Sequence, residues 1–140
     1  MYTEANKAVV LRILNEAING GNFDLFDELV AEDAVEHEEF PGMPNRGPAA
    51  PKAFFTMFSA AFPDMQMTVD EMVAEGDKVV ARARISGTHK GEFMGIPPTA
   101  KSFEVQVIDI FEVKNGQVAA HWGVTDQAAM MQQLGLVPEM

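Results

Sequence analysis

Residues 101–126, KSFEVQVIDIFEVKNGQVAAHWGVTD, decide the fold. Phe103, Val105, Val107, Asp109, Phe111 and Val113 occupy every second position, so in a strand they share one face. An aspartate interrupts that apolar row. Lys114, Asn115 and Gly116 then offer a turn, and Gln117 to Val124 form the natural second strand of a hairpin. A two-residue loop at Asn115-Gly116 sets Asp109 opposite Trp122. A three-residue loop with a glycine bulge sets it opposite His121, and Lys before Asn-Gly favours that pairing. A carboxylate and an imidazole side by side on an apolar face form a proton-handling pair, because burial and a partner charge both shift their pKa values. The plain alternative is a buried aspartate satisfied by backbone donors or a hydroxyl.

A chain of 140 residues with 47% hydrophobic content fills one core, so a single domain over residues 1–140 is expected. No apolar run is long enough to span a bilayer and MYTEANK lacks the apolar segment of a secretory signal, so a soluble cytoplasmic protein is expected. The chain has no cysteine, which excludes disulfides, thiol nucleophiles and thiolate ligands. A net charge of −11 argues against nucleic acid and anionic membranes as partners. Ten methionines against one tyrosine point to adaptable packing around an irregular cavity or an apolar interface.

In chain order, Thr3 can cap a helix with Val10, Ile13, Leu14 and Ala17 on one stripe, ended by Gly20-Gly21. Asn22 or Asp24 can start a shorter helix that buries Phe26, Leu29 and Val30. Residues 34–38 suit a short strand with Val35 and His37 on one face and Glu36 and Glu38 on the other, so His37 points inward. The Pro/Gly-dense loop from Phe40 to Gly47 can roof a pocket. Pro48 begins a helix with Phe54, Met57, Phe58 and Ala61 on its apolar stripe, stopped by Pro63. Met67 and Val69 share one parity and Met72 and Ala74 the other, which a β-bulge near Asp70 reconciles. From Lys78 to His89, Val79, Ala81, Ala83 and Ile85 face one way and Arg82 and Arg84 the other. A long shaped loop over residues 87–101 follows, and Asp126 can cap a final helix. This order predicts an α+β layer fold, a strongly curved antiparallel sheet with helices packed across its concave face. The cavity it leaves suits a small apolar molecule.

Phe62-Pro63-Asp64, the turn Glu75-Gly76-Asp77-Lys78, the loop GTHKGEF followed by GIPPT, and the block HWGVTD resemble the SnoaL-like polyketide cyclases in order and spacing. The resemblance covers nearly the whole chain. It implies the cone-shaped α+β fold shared with ketosteroid isomerase and nuclear transport factor 2, and a homodimer formed through the outer sheet face. It also implies intramolecular aldol cyclisation of an anthracycline precursor ester without metal or organic cofactor, driven by an aspartate near the last strand. That aspartate aligns either with Asp126 or with position 123, where this chain has glycine.

The candidate catalytic residues are therefore Asp109, His121 and Asp126, with Asp109 or Asp126 as base and His121 as donor to the developing oxyanion. His37, Phe40, Phe54, Phe58, His89, Phe93, Met94 and Trp122 are the candidate substrate-binding residues. For His89, ordering its loop through a backbone hydrogen bond is the competing role, and for Asp126 the helix cap. No histidine pair has zinc-site spacing, and no metal is expected. Rival readings keep the fold and change the reaction to isomerisation, dehydration or epoxide opening, or leave a binding protein without turnover.

Overall fold

The computed structural model describes residues 3–137. Helix α1 (Thr3–Arg12) continues in wider π turns over Ile13–Asn19, and a 3-10 turn (Phe23–Leu25) leads into α2 (Phe26–Leu29). Strand β1 (Val30–Glu36), helix α3 (Ala49–Ala61) and strands β2 (Gln66–Glu75), β3 (Lys78–Thr88), β4 (Ser102–Lys114) and β5 (Gln117–Thr125) follow, and α4 (Gln127–Gln133) closes the order. The curved five-stranded sheet runs β1-β5-β4-β3-β2. Strand β1 is parallel to β5, and the other pairs are antiparallel. The α+β architecture expected from the sequence is the one formed.

The hairpin between β4 and β5 sets the site. Asn115 and Gly116 have φ of 54° and 77°, the two left-handed residues of a type I′ turn. Lys114 therefore pairs with Gln117 and Val113 with Val118, so the two-residue loop forms and the expected three-residue loop does not. Asn-Gly tolerates both positive φ values, and that turn's twist matches the flanking strands. The ladder then slips. Glu112 pairs with Ala120, leaving Ala119 as the extra residue of a bulge, and beyond it Phe111 meets His121, Ile110 meets Trp122 and Asp109 meets Gly123. Neither expected partner stands directly opposite Asp109. Because side chains alternate with period two, the bulge turns His121 to the inner face and Trp122 to the outer one.

The predicted inner row of β4 is buried as drawn, with Phe103, Val105, Val107, Asp109, Phe111 and Val113 all in the interior. The expected bulge in β2 also forms. Val69 pairs with Ala83 and Glu71 with Arg82, so Asp70 is the inserted residue and both apolar pairs of β2 face the core side. Arg82 and Arg84 lie outside, where Arg84 binds Asp70 and Glu104 and Arg82 approaches Glu71. Val10, Ile13, Leu14 and Ala17 form the buried stripe of the first helix, although Thr3 already lies within α1. Asn19 fastens the end of that helix to β2 through paired bonds of 2.7 Å with the Met67 backbone.

Two local expectations change. Strand β1 begins at Val30, earlier than residue 34, directly on leaving α2. Its facing is also reversed. Glu36 pairs beside His121 and shares its inner face, so His37 turns outward. The loop after β1 is drawn back over the cavity by Glu36 N–H donating to the Asn45 carbonyl at 3.0 Å and Gly47 N–H to Ala34 at 2.9 Å. Among the described residues no helix is long and apolar enough to cross a membrane.

Candidate active site

A cavity of about 340 Å³ lies between the inner sheet face, the π turns that continue α1, helices α3 and α4, and the loop after β1. Its apolar wall is largely aromatic. Phe54 stacks on Phe58 at 5.4 Å, Phe40 leans on Phe54 at 4.8 Å, and Phe93 meets Phe58 edge to face at 5.8 Å. Met94 completes this side, so the four predicted phenylalanines and the predicted methionine all reach the cavity. Pro41, Met43 and Pro44 line it from the loop expected to roof it.

The polar wall is built on His121. Its Nε2 lies 2.9 Å from Asp109 Oδ1 and its Nδ1 lies 2.6 Å from Glu36 Oε2. Phe111 backs the ring at 4.8 Å. Asp109 thus meets His121 diagonally across the ladder, two residues along β5 from the position directly opposite. Burial pushes the imidazolium toward losing its proton, but hydrogen bonds and charge from Asp109 and Glu36 outweigh it and raise the His121 pKa to about 10. The ring is therefore a cation at neutral pH, with both N–H groups donating to carboxylates. No ring N–H is left free for a substrate oxygen.

Glu38, just beyond β1, is the second carboxyl that sequence reasoning placed on the outer face. It lines the cavity, and its carboxyl stands within 4.8 Å of the Asp109 and His121 polar atoms. Thr125 Oγ1 donates to its Oε2 at 3.4 Å. Burial raises the Glu38 pKa, His121 opposes the rise, and the neighbouring Asp109 and Glu36 charges add to it. Glu36 and Glu38 were missed because alternating charges beside Val35 read as a solvated face. The available signal was parity: Ala34, Glu36 and Glu38 fall on the same side, and Ala34 is buried.

Four predicted residues lie elsewhere. Trp122 and His37 do not line the cavity; their rings stack at 4.6 Å and 1° on the outer face, with Lys78 Nζ 5.5 Å from the indole. The Ala119 bulge accounts for Trp122, and the reversed β1 facing accounts for His37. His89 is fully buried but also stands outside the cavity lining. Its Nδ1 accepts from the Thr99 backbone N–H at 3.3 Å, while its own backbone pairs with Ala100 and Lys101, so it ties the neck of the loop that delivers Phe93. Asp126 caps α4, accepting from Ala129 N–H at 3.1 Å, and does not line the cavity. Asp126→Ala is expected to cost about 1 kcal/mol of stability with turnover retained, as read by urea denaturation beside an activity assay. A loss of turnover beyond the loss of folded protein would return Asp126 to the chemistry.

Position 123, the other alignment for the implied aspartate, does point into the cluster. A Cβ on Gly123 would lie 2.5 Å from Glu38 Oε1, 2.9 Å from Asp109 Oδ1 and 3.0 Å from His121 Cε1. A side chain there would enter space that the Glu38 carboxyl now fills.

An aromatic cavity in an α+β cone, with a carboxylate–imidazole cluster on one wall, defines a small-molecule acid/base protein. Across residues 8–134 the chain matches the SnoaL-like polyketide cyclases, and it belongs to that family. It is similar to the aklanonic acid methyl ester cyclase DauD of Streptomyces sp. (strain C5), at 29% identity over 133 residues, covering 90% of this chain and 80% of the relative. Among solved structures it resembles TsrD of Streptomyces laurentii, with a TM-score of 0.85 and 30% identity over 96% of this chain and 97% of that one. It also resembles wild-type IdmH of Streptomyces antibioticus, with a TM-score of 0.80 and 35% identity over 93% and 98% of the two chains.

Proposed function

We propose that the protein is a cyclase that closes a ring by intramolecular aldol addition in a polyketide-like ester, with Asp109 as the base. The observation that carries this reading is the hydrogen-bonded chain Asp109–His121–Glu36 opening onto an aromatic cavity. His121 holds Asp109 by one oxygen, Oδ1, and among the described residues no hydrogen bond reaches Oδ2. That oxygen can take a proton from carbon beside a carbonyl. The imidazolium keeps Asp109 oriented, and Glu36 fixes the ring from its far side, so a base is positioned before substrate enters. In this scheme His121 positions the base, a role different from the oxyanion donor expected of it.

The charge of the cavity favours an ester over a free acid. Glu36, Glu38, Glu39 and Asp109 line it, and among the described residues no lysine or arginine does. A substrate carboxylate would meet like charge in a poorly solvated space. Epoxide opening assisted by an arginine loses support for the same reason, since Arg82 and Arg84 are paired outside. The substrate in the name of DauD is the methyl ester of an acid, the class of substrate this cavity favours. Incubation with aklanonic acid methyl ester, followed by chromatography and mass spectrometry, tests the reading. An isomeric product of unchanged mass is expected with the ester. Unchanged ester that nevertheless binds would leave a carrier protein instead.

A homodimer acting in the cytoplasm belongs to the same proposal. Exposed apolar side chains on the outer sheet region, Val73, Ile108 and Val124, support the pairing of two copies there.

A further inference from the structure

Ring closure needs a proton donor as well as a base, and the positions of the cluster limit which group can serve. Both His121 nitrogens are committed to carboxylates. Asp126 is committed to the α4 backbone, and position 123 has no side chain. Glu38 remains. It follows β1 at the point where Glu38 N–H donates to Glu36 Oε2 at 3.1 Å, and its carboxyl lies over the Gly123 backbone toward Asp109 and His121. Among the described residues only the Thr125 hydroxyl, at 3.4 Å, hydrogen-bonds it.

We propose that Glu38 is the acid of this site, its carboxyl occupying the space beside Gly123 that a side chain there would enter and delivering a proton to the carbonyl oxygen that Asp109-driven ring closure makes negative. The inference rests on the cyclase reading and deepens it. The step balances without oxidant or cofactor. Asp109 takes the C–H proton, the carbon bears the new C–C bond, and the acceptor carbonyl's π pair moves to oxygen and takes the Glu38 proton. Asp109 ends protonated and Glu38 ionised, and the proton returns between two carboxyls of one cluster. The groups facing Glu38 are Glu36 from β1, Asp109 from β4, and His121 and Thr125 from β5. Burial, joined by the charges of Asp109 and Glu36 and opposed by His121 and Thr125, holds its proton to higher pH than an ordinary glutamate does, as a donor requires.

The test compares wild type, Glu38→Gln, Glu38→Ala and the double variant Glu38→Ala/Gly123→Asp with the methyl ester substrate, and follows the Glu38 carboxyl by ¹³C NMR titration of the wild type. Glu38→Gln is expected to lower kcat roughly 10²-fold and to remove the fall in kcat on the alkaline side, which a merely structural role would leave in place. The double variant, with a carboxyl returned from β5 to the space that truncation at position 38 empties, is expected to recover about tenfold over Glu38→Ala. Wild-type kcat in Glu38→Gln, with its alkaline limb intact, overturns the assignment. So does a Glu38 carboxyl titrating in the ordinary glutamate range, a measurement that stands even where the Gln variant does not fold. A wild type that leaves the ester unchanged would count against the cyclase reading alone, and the NMR titration would then decide whether Glu38 holds a proton.

Discussion

Asp109→Asn is expected to slow ring closure by about 10²–10⁴-fold, the contribution of a positioned base, with substrate affinity little changed. The substitution preserves shape, and the asparagine carbonyl can still accept from His121 Nε2–H as Asp109 Oδ1 does now at 2.9 Å. The sheet, the aromatic wall and the loop over the cavity should therefore remain as they are. What disappears is an oxygen able to accept a proton from carbon. Steady-state kinetics on the ester should then show kcat falling while KM holds, the pattern of an interaction made in the transition state only. An unchanged kcat would remove Asp109 from the chemistry and leave it a buried partner of His121.

His121→Leu should give the largest loss of stability, about 3 kcal/mol by analogy with other broken ion pairs of low exposure. His121, Asp109 and Glu36 expose only 18%, 8% and 20% of their side chains. Without the imidazolium, two carboxylates and the nearby Glu38 would face one another across a poorly solvated space. The pH dependence separates this cause from lost packing. The folded-state pKa of His121, about 10, lies above its ordinary value of 6.5, so its contribution is fully present below pH 6.5 and is lost as pH rises through about 10. Wild-type stability should thus decline over that window and the variant's should not. Denaturation midpoints measured across it would sink the ion-pair account if both proteins followed the same curve.

Much of this architecture was legible in the chain. The alternating row from Phe103 to Val113 and the parity change around Asp70 each stated a facing through many side chains at once, and both facings are found in the fold. Asp109 and His121 were legible as a pair, but not their geometry. Their relation depends on a bulge at Ala119, and alanine fits either face of a strand, so nothing local announces the slip. Glu36 and Glu38 were hidden for a different reason. Taken alone, a charged pair on a short strand belongs in water. Only the histidine delivered by β5, far along the chain, makes the inward facing favourable. The final aspartate misled in the opposite sense, since a helix cap and an acid/base group ask for the same residue type, and the structure uses Asp126 for the first.

The one-residue bulge at Ala119 makes the strand's chemistry a matter of counting. Deleting Ala119 while keeping the Asn115-Gly116 turn would make the ladder continuous, with Ala120 still opposite Glu112, His121 opposite Phe111 and Trp122 opposite Ile110, so the imidazole would stay on the inner face. Lineages built on this hairpin could therefore lose the bulge by a single codon deletion and keep the proton-handling wall, a change that comparisons scoring only substitutions would overlook.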